Sequence, residues 1–156
     1  MAHSREAIRK AIVTAVTGLT TTGTNVVDWR LYAVDEGDRP QLAVMVGMSP
    51  ETVDDEIENE YGNTEVRALP VTIEGRTEQG SATKSIASDH TGVLDVLDDI
   101  CAEVEFALNV DTTLGGLAVD VRLESTEINL AGGGELPVAL VTMEWIVRYS
   151  VDRSNP

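Results

Sequence analysis

Between residues 4 and 19 the apolar side chains Ala7, Ile8, Ala11, Ile12, Ala15, Val16 and Leu19 return every three or four positions, which gathers them on one side of a helix. Ser4 stands where an N-cap is expected, and Gly18 or Gly23 offers a stop. Arg5, Glu6, Arg9 and Lys10 fall on the opposite face, the one place where positive charge gathers, and read as a solvated face. The period then changes to two. Val27, Trp29 and Leu31 alternate with Asp28, Arg30 and Tyr32, and after Pro40 the residues Leu42, Val44, Val46 and Met48 alternate with smaller ones. These patterns predict two strands joined by the turn-rich stretch 35–39. A third strand is predicted over 65–75, with Leu69, Val71 and Ile73 on one face. Pro70 has no amide hydrogen to give to a ladder, which argues there for a sheet edge or a bulge. The polar stretches 51–63 and 76–88 read as mobile loops.

The helical period returns after Asp89 or Thr91, either of which suits a cap, and runs to about Leu108 with Val93, Leu97, Ile100, Val104 and Ala107 as the buried stripe. Its other face carries Asp95, Asp98, Asp99, Glu103 and Glu105, with no lysine or arginine. Beyond Gly115 and Gly116, Leu117, Val119, Val121 and Leu123 alternate with Ala118, Asp120, Arg122 and Glu124, the pattern of a strand with one wet face. Gly132, Gly133 and Gly134 read as a hairpin loop. The last strand then sets Ala139, Val141, Met143, Trp145, Val147, Tyr149 and Val151 on one side, against Thr142, Glu144 and Arg148. The order is α-β-β-β-α-β-β. It predicts one two-layer α+β domain over residues 1–156: a mixed or antiparallel sheet of about five strands, two helices covering one face, and a frayed tail at 151–156.

Composition narrows the possible partners. The 156 residues hold 27 acidic side chains against 11 Lys plus Arg, a formal charge of -16, which disfavours a phosphate-binding face. Aromatic residues are 4% of the chain, too few for a base-stacking platform. Only Lys10 and Lys84 are lysines, and this scarcity beside abundant Val, Thr and Ala resembles the proteins of extreme halophiles. At about 1 M salt the Debye length falls to roughly 3 Å, so an uncompensated acidic surface repels little there. Cys101 is the single cysteine, which excludes an internal disulfide. Residues 1–24 have the outline of a signal peptide, but Thr14 and Thr17 interrupt its apolar stretch, and no run approaches the ~18 apolar residues of a membrane span. A soluble protein is expected.

The search for chemistry finds few parts. Asp54, Asp55, Glu56, Glu58 and Glu60 could hold a divalent cation, but their spacing is not that of a calcium loop, and in so acidic a chain five neighbouring carboxylates read as surface. His3 and His90 are the only histidines, too few for a metal site or a triad. Cys101 sits beside the buried position Ile100 and reads as a structural thiol. The triple glycine lacks the lysine and hydroxyl of a phosphate loop. Trp29 and Trp145 fall on apolar strand faces and read as core. No catalytic, cofactor-binding or metal-binding residue is expected, and the domain is read as working through its surfaces.

Several segments in this order carry a family likeness. They are the opening helix before the strand from Val26, the run Val96-Leu97-Asp98-Asp99-Ile100-Cys101-Ala102-Glu103-Val104-Glu105, then Thr113-Leu114-Gly115-Gly116-Leu117-Ala118-Val119-Asp120-Val121, Ser125-Thr126-Glu127 and the closing Met143-Glu144-Trp145-Ile146-Val147-Arg148-Tyr149. Together they resemble the tail terminator proteins of long-tailed phages and archaeal tailed viruses, also called minor tail protein U-like or tail-completion proteins. The similarity spans nearly the whole chain.

The resemblance implies a virion protein, assembled in the host cytoplasm, that forms a homohexameric ring on the head-proximal end of the tail tube. Such a ring stops tube polymerisation and offers a surface to the neck or head-completion protein. Its implied partners are other copies of itself, the tail tube protein and the neck protein, with the genome passing through the lumen unbound. Loop residues Asp54, Asp55, Glu56, Glu58, Glu60, Arg76 and Lys84 are the expected partner-facing or lumen-facing positions, and Asp95, Asp98, Asp99 and Glu103 form an acidic helix face. The stretches 51–61 and 80–89 are long and acidic for the family. Alternative readings are another head-tail connector component (an adaptor or stopper), a metal-dependent enzyme using residues 54–60, or an acidic mimic of DNA.

Overall fold

The computed structural model describes residues 3–28, 40–54, 64–78, 91–131 and 138–152. Its elements run α1 (Ser4–Val16), β1 (Val26–Asp28), β2 (Gln41–Val46), β3 (Thr52–Asp54), β4 (Thr64–Glu78), α2 (Thr91–Val110), β5 (Asp120–Ala131) and β6 (Val138–Asp152). The fold is α+β. A six-stranded, mostly antiparallel sheet has the order β1-β2-β4-β6-β5, with β3 joined to β4 beside β2.

Both helices pack on one sheet face. α1 lies over β1 and β2, and α2 lies over β4 and β6 and touches β5 least. The covered face follows from the registers, because residues paired across a ladder point the same way. Leu42 and Val44 of β2, Leu69, Val71 and Ile73 of β4 and Val141, Met143, Trp145, Val147 and Tyr149 of β6 all share it. All are buried, together with Ile8, Ile12 and Val16 of α1 and Val93, Val96, Leu97, Ile100, Val104 and Leu108 of α2. Each large aliphatic side chain taken out of water in this way contributes about 1.5–3 kcal/mol. Among the described residues Trp145 and Tyr149 are the largest fully buried side chains, so the two aromatic residues of the closing strand anchor the core.

The boundaries differ from the sequence pattern at points that have physical causes. The cap of α1 is His3 rather than Ser4: its Nδ1 accepts a hydrogen bond from the Arg5 amide at 3.2 Å. The helix ends at Val16, and Gly18 follows with φ 87°, the left-handed backbone that suits glycine. β1 and β2 run parallel, Val26 opposite Leu42, whereas strands joined by a tight turn run antiparallel, and the predicted turn 35–39 lies outside the described residues. β2 stops at Val46, leaving Met48 exposed beyond it. Four strands rather than three precede α2, because β3 falls within the expected loop 51–63. β4 also extends to Glu78 and takes Arg76 out of the other expected loop. In α2 the stripe is completed by Val96 and Leu108, and Ala107 is only half-buried.

Pro70 creates neither an outer edge nor a bulge. β4 is central, with β6 along the whole of one side and β2 then β3 sharing the other. β2 pairs with β4 residues 71–76 and β3 with 66–68, so Pro70 stands where one neighbour gives way to the next. Its carbonyl accepts from the Gly47 amide on that side, at 3.4 Å. The missing N–H therefore points at the changeover and takes nothing from the β6 ladder.

β5 begins at Asp120, so Leu117 and Val119 lie before the strand and are exposed, and it continues to Ala131. A bulge at Glu124 shifts its register between Leu123, opposite Trp145, and Ser125, opposite Glu144. The bulge shifts which residues face the helices. Val121 and Leu123 before it, and Thr126, Ile128 and Leu130 after it, share the helix face, which strict alternation would have given to Ser125, Glu127 and Asn129. The glycines of residues 132–134 lie outside the described residues. Val151 is buried and Asp152 pairs with Thr64, so the expected frayed tail is ordered strand as far as Asp152.

Candidate functional site

Of the acidic stretch 54–60, Asp54 closes β3 opposite Val66. Asp55, Glu56, Glu58 and Glu60 lie outside the described residues, as do Lys84, His90 and Trp29. Arg76 is held at 2.9 Å by Glu74, two positions earlier on the same strand face. Among the described residues no group of three or more His, Cys, Asp or Glu side chains is placed to hold a metal ion. Among the described residues no helix is long and apolar enough to cross a membrane.

The acidic face of α2 divides by position. Asp98 is exposed, while Asp95, Asp99 and Glu103 are half-buried. Glu103 ties the turn after α1 to α2, because its carboxylate accepts from the Thr21 amide at 3.0 Å and from the Thr21 hydroxyl at 2.8 Å. Cys101 is half-buried. Burial pushes its thiol up, with the carboxylates of Glu105 and Asp98 adding to the shift, so at neutral pH it stays protonated rather than poised as a nucleophile.

The cations of α1 are matched by carboxylates of the same chain. Arg5 meets Glu51 at 3.5 Å, Arg9 pairs with Asp28, and Lys10 bonds Glu6 one turn back. The bond from Lys10, aided by its charge, holds Glu6 below the usual carboxylate range. His3, Arg5, Glu6 and Arg9, with Val46 and Gly47, line an open cleft of about 310 Å³.

Beside that cleft is a polar cluster that the sequence does not announce. The Tyr149 hydroxyl donates to Glu51 at 2.6 Å, Arg67 stands 3.6 Å from the same carboxylate, and the Arg67 Nε bonds Glu65 at 2.6 Å. Burial, then the bond to Glu51, pushes the phenol up to about 12. Burial of Arg67 works against its charge, but the bond to Glu65 and that carboxylate's charge outweigh it and raise the guanidinium. Glu51 thus accepts one hydrogen bond from β6 and pairs with one guanidinium each from α1 and β4, an arrangement that fixes the start of α1 to the end of the sheet. Tyr149 is buried on an apolar strand face, and only its Arg67 neighbour across the ladder could have hinted at the cluster.

The exposed large apolar side chains fall into two groups. Phe106, Val110, Leu117, Val119, Ile128 and Leu130 belong to α2, the following turn and β5, while Met48 and Val53 belong to the β2–β3 side. Among the described residues no strand pairs with the outer edge of β5. The turn between α2 and β5 is rigidly built. Asp111 accepts from the Thr113 hydroxyl at 2.6 Å, the Thr113 amide at 3.0 Å and the Gly115 amide at 2.7 Å, and Leu114, Gly115 and Gly116 all have positive φ. Among the described residues these apolar side chains and the outer edge of β5 are left uncovered. Comparison with known proteins returns no match, either to a protein-family model or to a curated sequence.

Proposed function

We propose that this chain is a structural protein of a tailed virus, a tail terminator that forms a homohexameric ring on the head-proximal end of the tail tube. The reading rests on the ordered set of segments that resembles the terminator proteins. What supports it is that these segments make up the framework of the domain: the opening helix α1, the acidic helix α2 with its rigid turn, and the closing strand β6. A ring needs two different surfaces on each subunit that meet head to tail. The two groups of exposed apolar side chains supply a candidate pair. A wall of subunits at -16 each repels a polyanionic genome in the lumen, so DNA slides past without the counterion release that drives binding. The work is done by shape, and no reacting group is assigned.

The test is a virus made without this chain. The proposal expects tails of uncontrolled length that are not joined to filled heads. Tails of normal length joined to filled heads would refute it. A connector of another kind, such as a stopper or adaptor, would leave tail length normal while heads lose their contents or remain unjoined.

A further inference from the structure

Among the described residues the sheet ends on one side at β1, three residues long, and on the other at β5, which is 12 residues long and unpaired along its outer edge. α2 lies over β4 and β6 and touches β5 least. Thr126, Ile128 and Leu130 are exposed although they stand on the helix side of the sheet. A long, open and partly apolar edge is a template for another strand.

The bulge at Glu124 makes β5 complementary to itself. With Glu124 set aside as the extra residue, Val121, Leu123, Thr126, Ile128 and Leu130 take the helix side, and Asp120, Arg122, Ser125, Glu127 and Asn129 take the open side. A second β5 laid antiparallel about a twofold axis at Ser125 then keeps every opposed pair on one face. On the helix side Leu123 meets Thr126 of the second copy, Val121 meets Ile128, and Leu130 comes level with Val119. On the open side Arg122 meets Glu127, Asp120 meets Asn129, and Ser125 meets its own equivalent. The backbone groups of an edge strand point outward at alternate residues, so the same pairing sets outward amides and carbonyls against one another. Without the bulge Leu123 and Thr126 would stand on opposite faces, and this register could not form.

Charge selects this register over its neighbours. Sliding the second copy by two residues one way sets Glu127 against Asp120, like charges directly opposite. Sliding it the other way sets Arg122 against Asn129 and Glu127 against Ser125, so opposite charges no longer meet. Within the single chain Arg122 already bonds Glu124, through Nε at 2.9 Å and Nη2 at 2.7 Å. That pair is exposed and worth little, and the Nη1 side of the guanidinium remains for Glu127 of the second copy.

We infer that the free edge of β5 is the docking site of β5 from a second copy of this chain, joined antiparallel about Ser125 so that the two sheets become one. The inference does not rest on the ring reading. A twofold contact closes at two copies, so the dimer is the form of the free chain below the protein concentration at which six would close a ring.

The experiment uses the full chain carrying Cys101→Ala, so that any added cysteine is the only thiol. Molar salt screens the acidic surfaces of the two copies. Under mild oxidation there, Ser125→Cys is expected to give a disulfide-linked dimer on a non-reducing gel, because residues opposed across an antiparallel ladder have Cα atoms about 4.5–5.5 Å apart, within disulfide reach. Asn129→Cys is expected not to link with itself, since its two equivalents stand roughly 27 Å apart, eight steps of about 3.4 Å along the strand. Mixed with Asp120→Cys protein it is expected to link. Arg122→Glu should weaken dimerisation in sedimentation velocity by about tenfold or more, and adding Glu127→Arg should restore it by exchanging the charges across the axis. Circular dichroism checks that each variant is folded. An unlinked Ser125→Cys, a self-linked Asn129→Cys or a charge exchange that restores nothing would overturn the inference. Rings formed by a chain whose Ser125→Cys variant never links would leave the ring reading standing without this dimer. A linked dimer that forms no ring at any concentration would do the reverse.

Discussion

Glu51 gathers the Tyr149 hydroxyl and the Arg5 and Arg67 guanidinium groups, and its behaviour with pH follows from the phenol. The folded-state value of Tyr149, about 12, lies above the ordinary 10.0, so the native state holds that proton more tightly than the unfolded chain does. The resulting stability is complete below about pH 10 and is lost as the pH rises through about 12. Tyr149→Phe should remove this part of the alkaline loss, seen as a shallower fall of the denaturation midpoint between those pH values. At neutral pH the same substitution should cost roughly 1.5–3 kcal/mol, toward the low end because Glu51 keeps both guanidinium partners. This cluster was not legible in the sequence. Residues 51, 67 and 149 are far apart in the chain and meet only through the β4–β6 register, which sets Arg67 opposite Tyr149, and the β3–β4 register, which brings Glu51 beside them, whereas local features such as Asp98 at the exposed helix face follow from periodicity alone.

Among elements, the seat of α2 on the sheet is decided at Gly75. A Cβ there would lie 2.9 Å from the Ile100 Cγ2 and 3.0 Å from the Val141 Cγ1, so the absence of a side chain is what lets the helix approach β4 and β6. Gly75→Ala should destabilise the protein by about 1–3 kcal/mol through overpacking. Ile100→Ala alone should cost about 2–5 kcal/mol and should cost less in the Gly75→Ala background, because the second change removes the clashing methyl. Equilibrium urea denaturation of the four proteins checks this, and additive costs would mean that the two positions are not coupled. Most elements could be read from hydrophobic period, since α1, α2 and β6 keep one repeat along their length and β2 and β4 show one over Leu42, Val44 and Val46 and over Leu69, Val71 and Ile73. The exceptions are equally physical. β3 is three residues long, too short to show a period, the bulge at Glu124 breaks the alternation of β5, and Pro70 was misleading because a change of strand partner is invisible in one sequence.

For the whole molecule, charge sets the conditions under which copies can meet. On the proposed ring reading, six subunits at -16 would bring about -96 together, and closure would need the screening of molar salt, where the Debye length is roughly 3 Å. Rings formed at high salt should therefore dissociate on dialysis into dilute buffer, with sedimentation as the readout, and rings unchanged there would show that screening is not required. The single measurement that bears most directly on the ring is the mass of the purified full-length chain by light scattering in molar salt. Six copies of a 16.7 kDa chain predict about 100 kDa. A mass that stays at that of one chain over all salt and protein concentrations would contradict it.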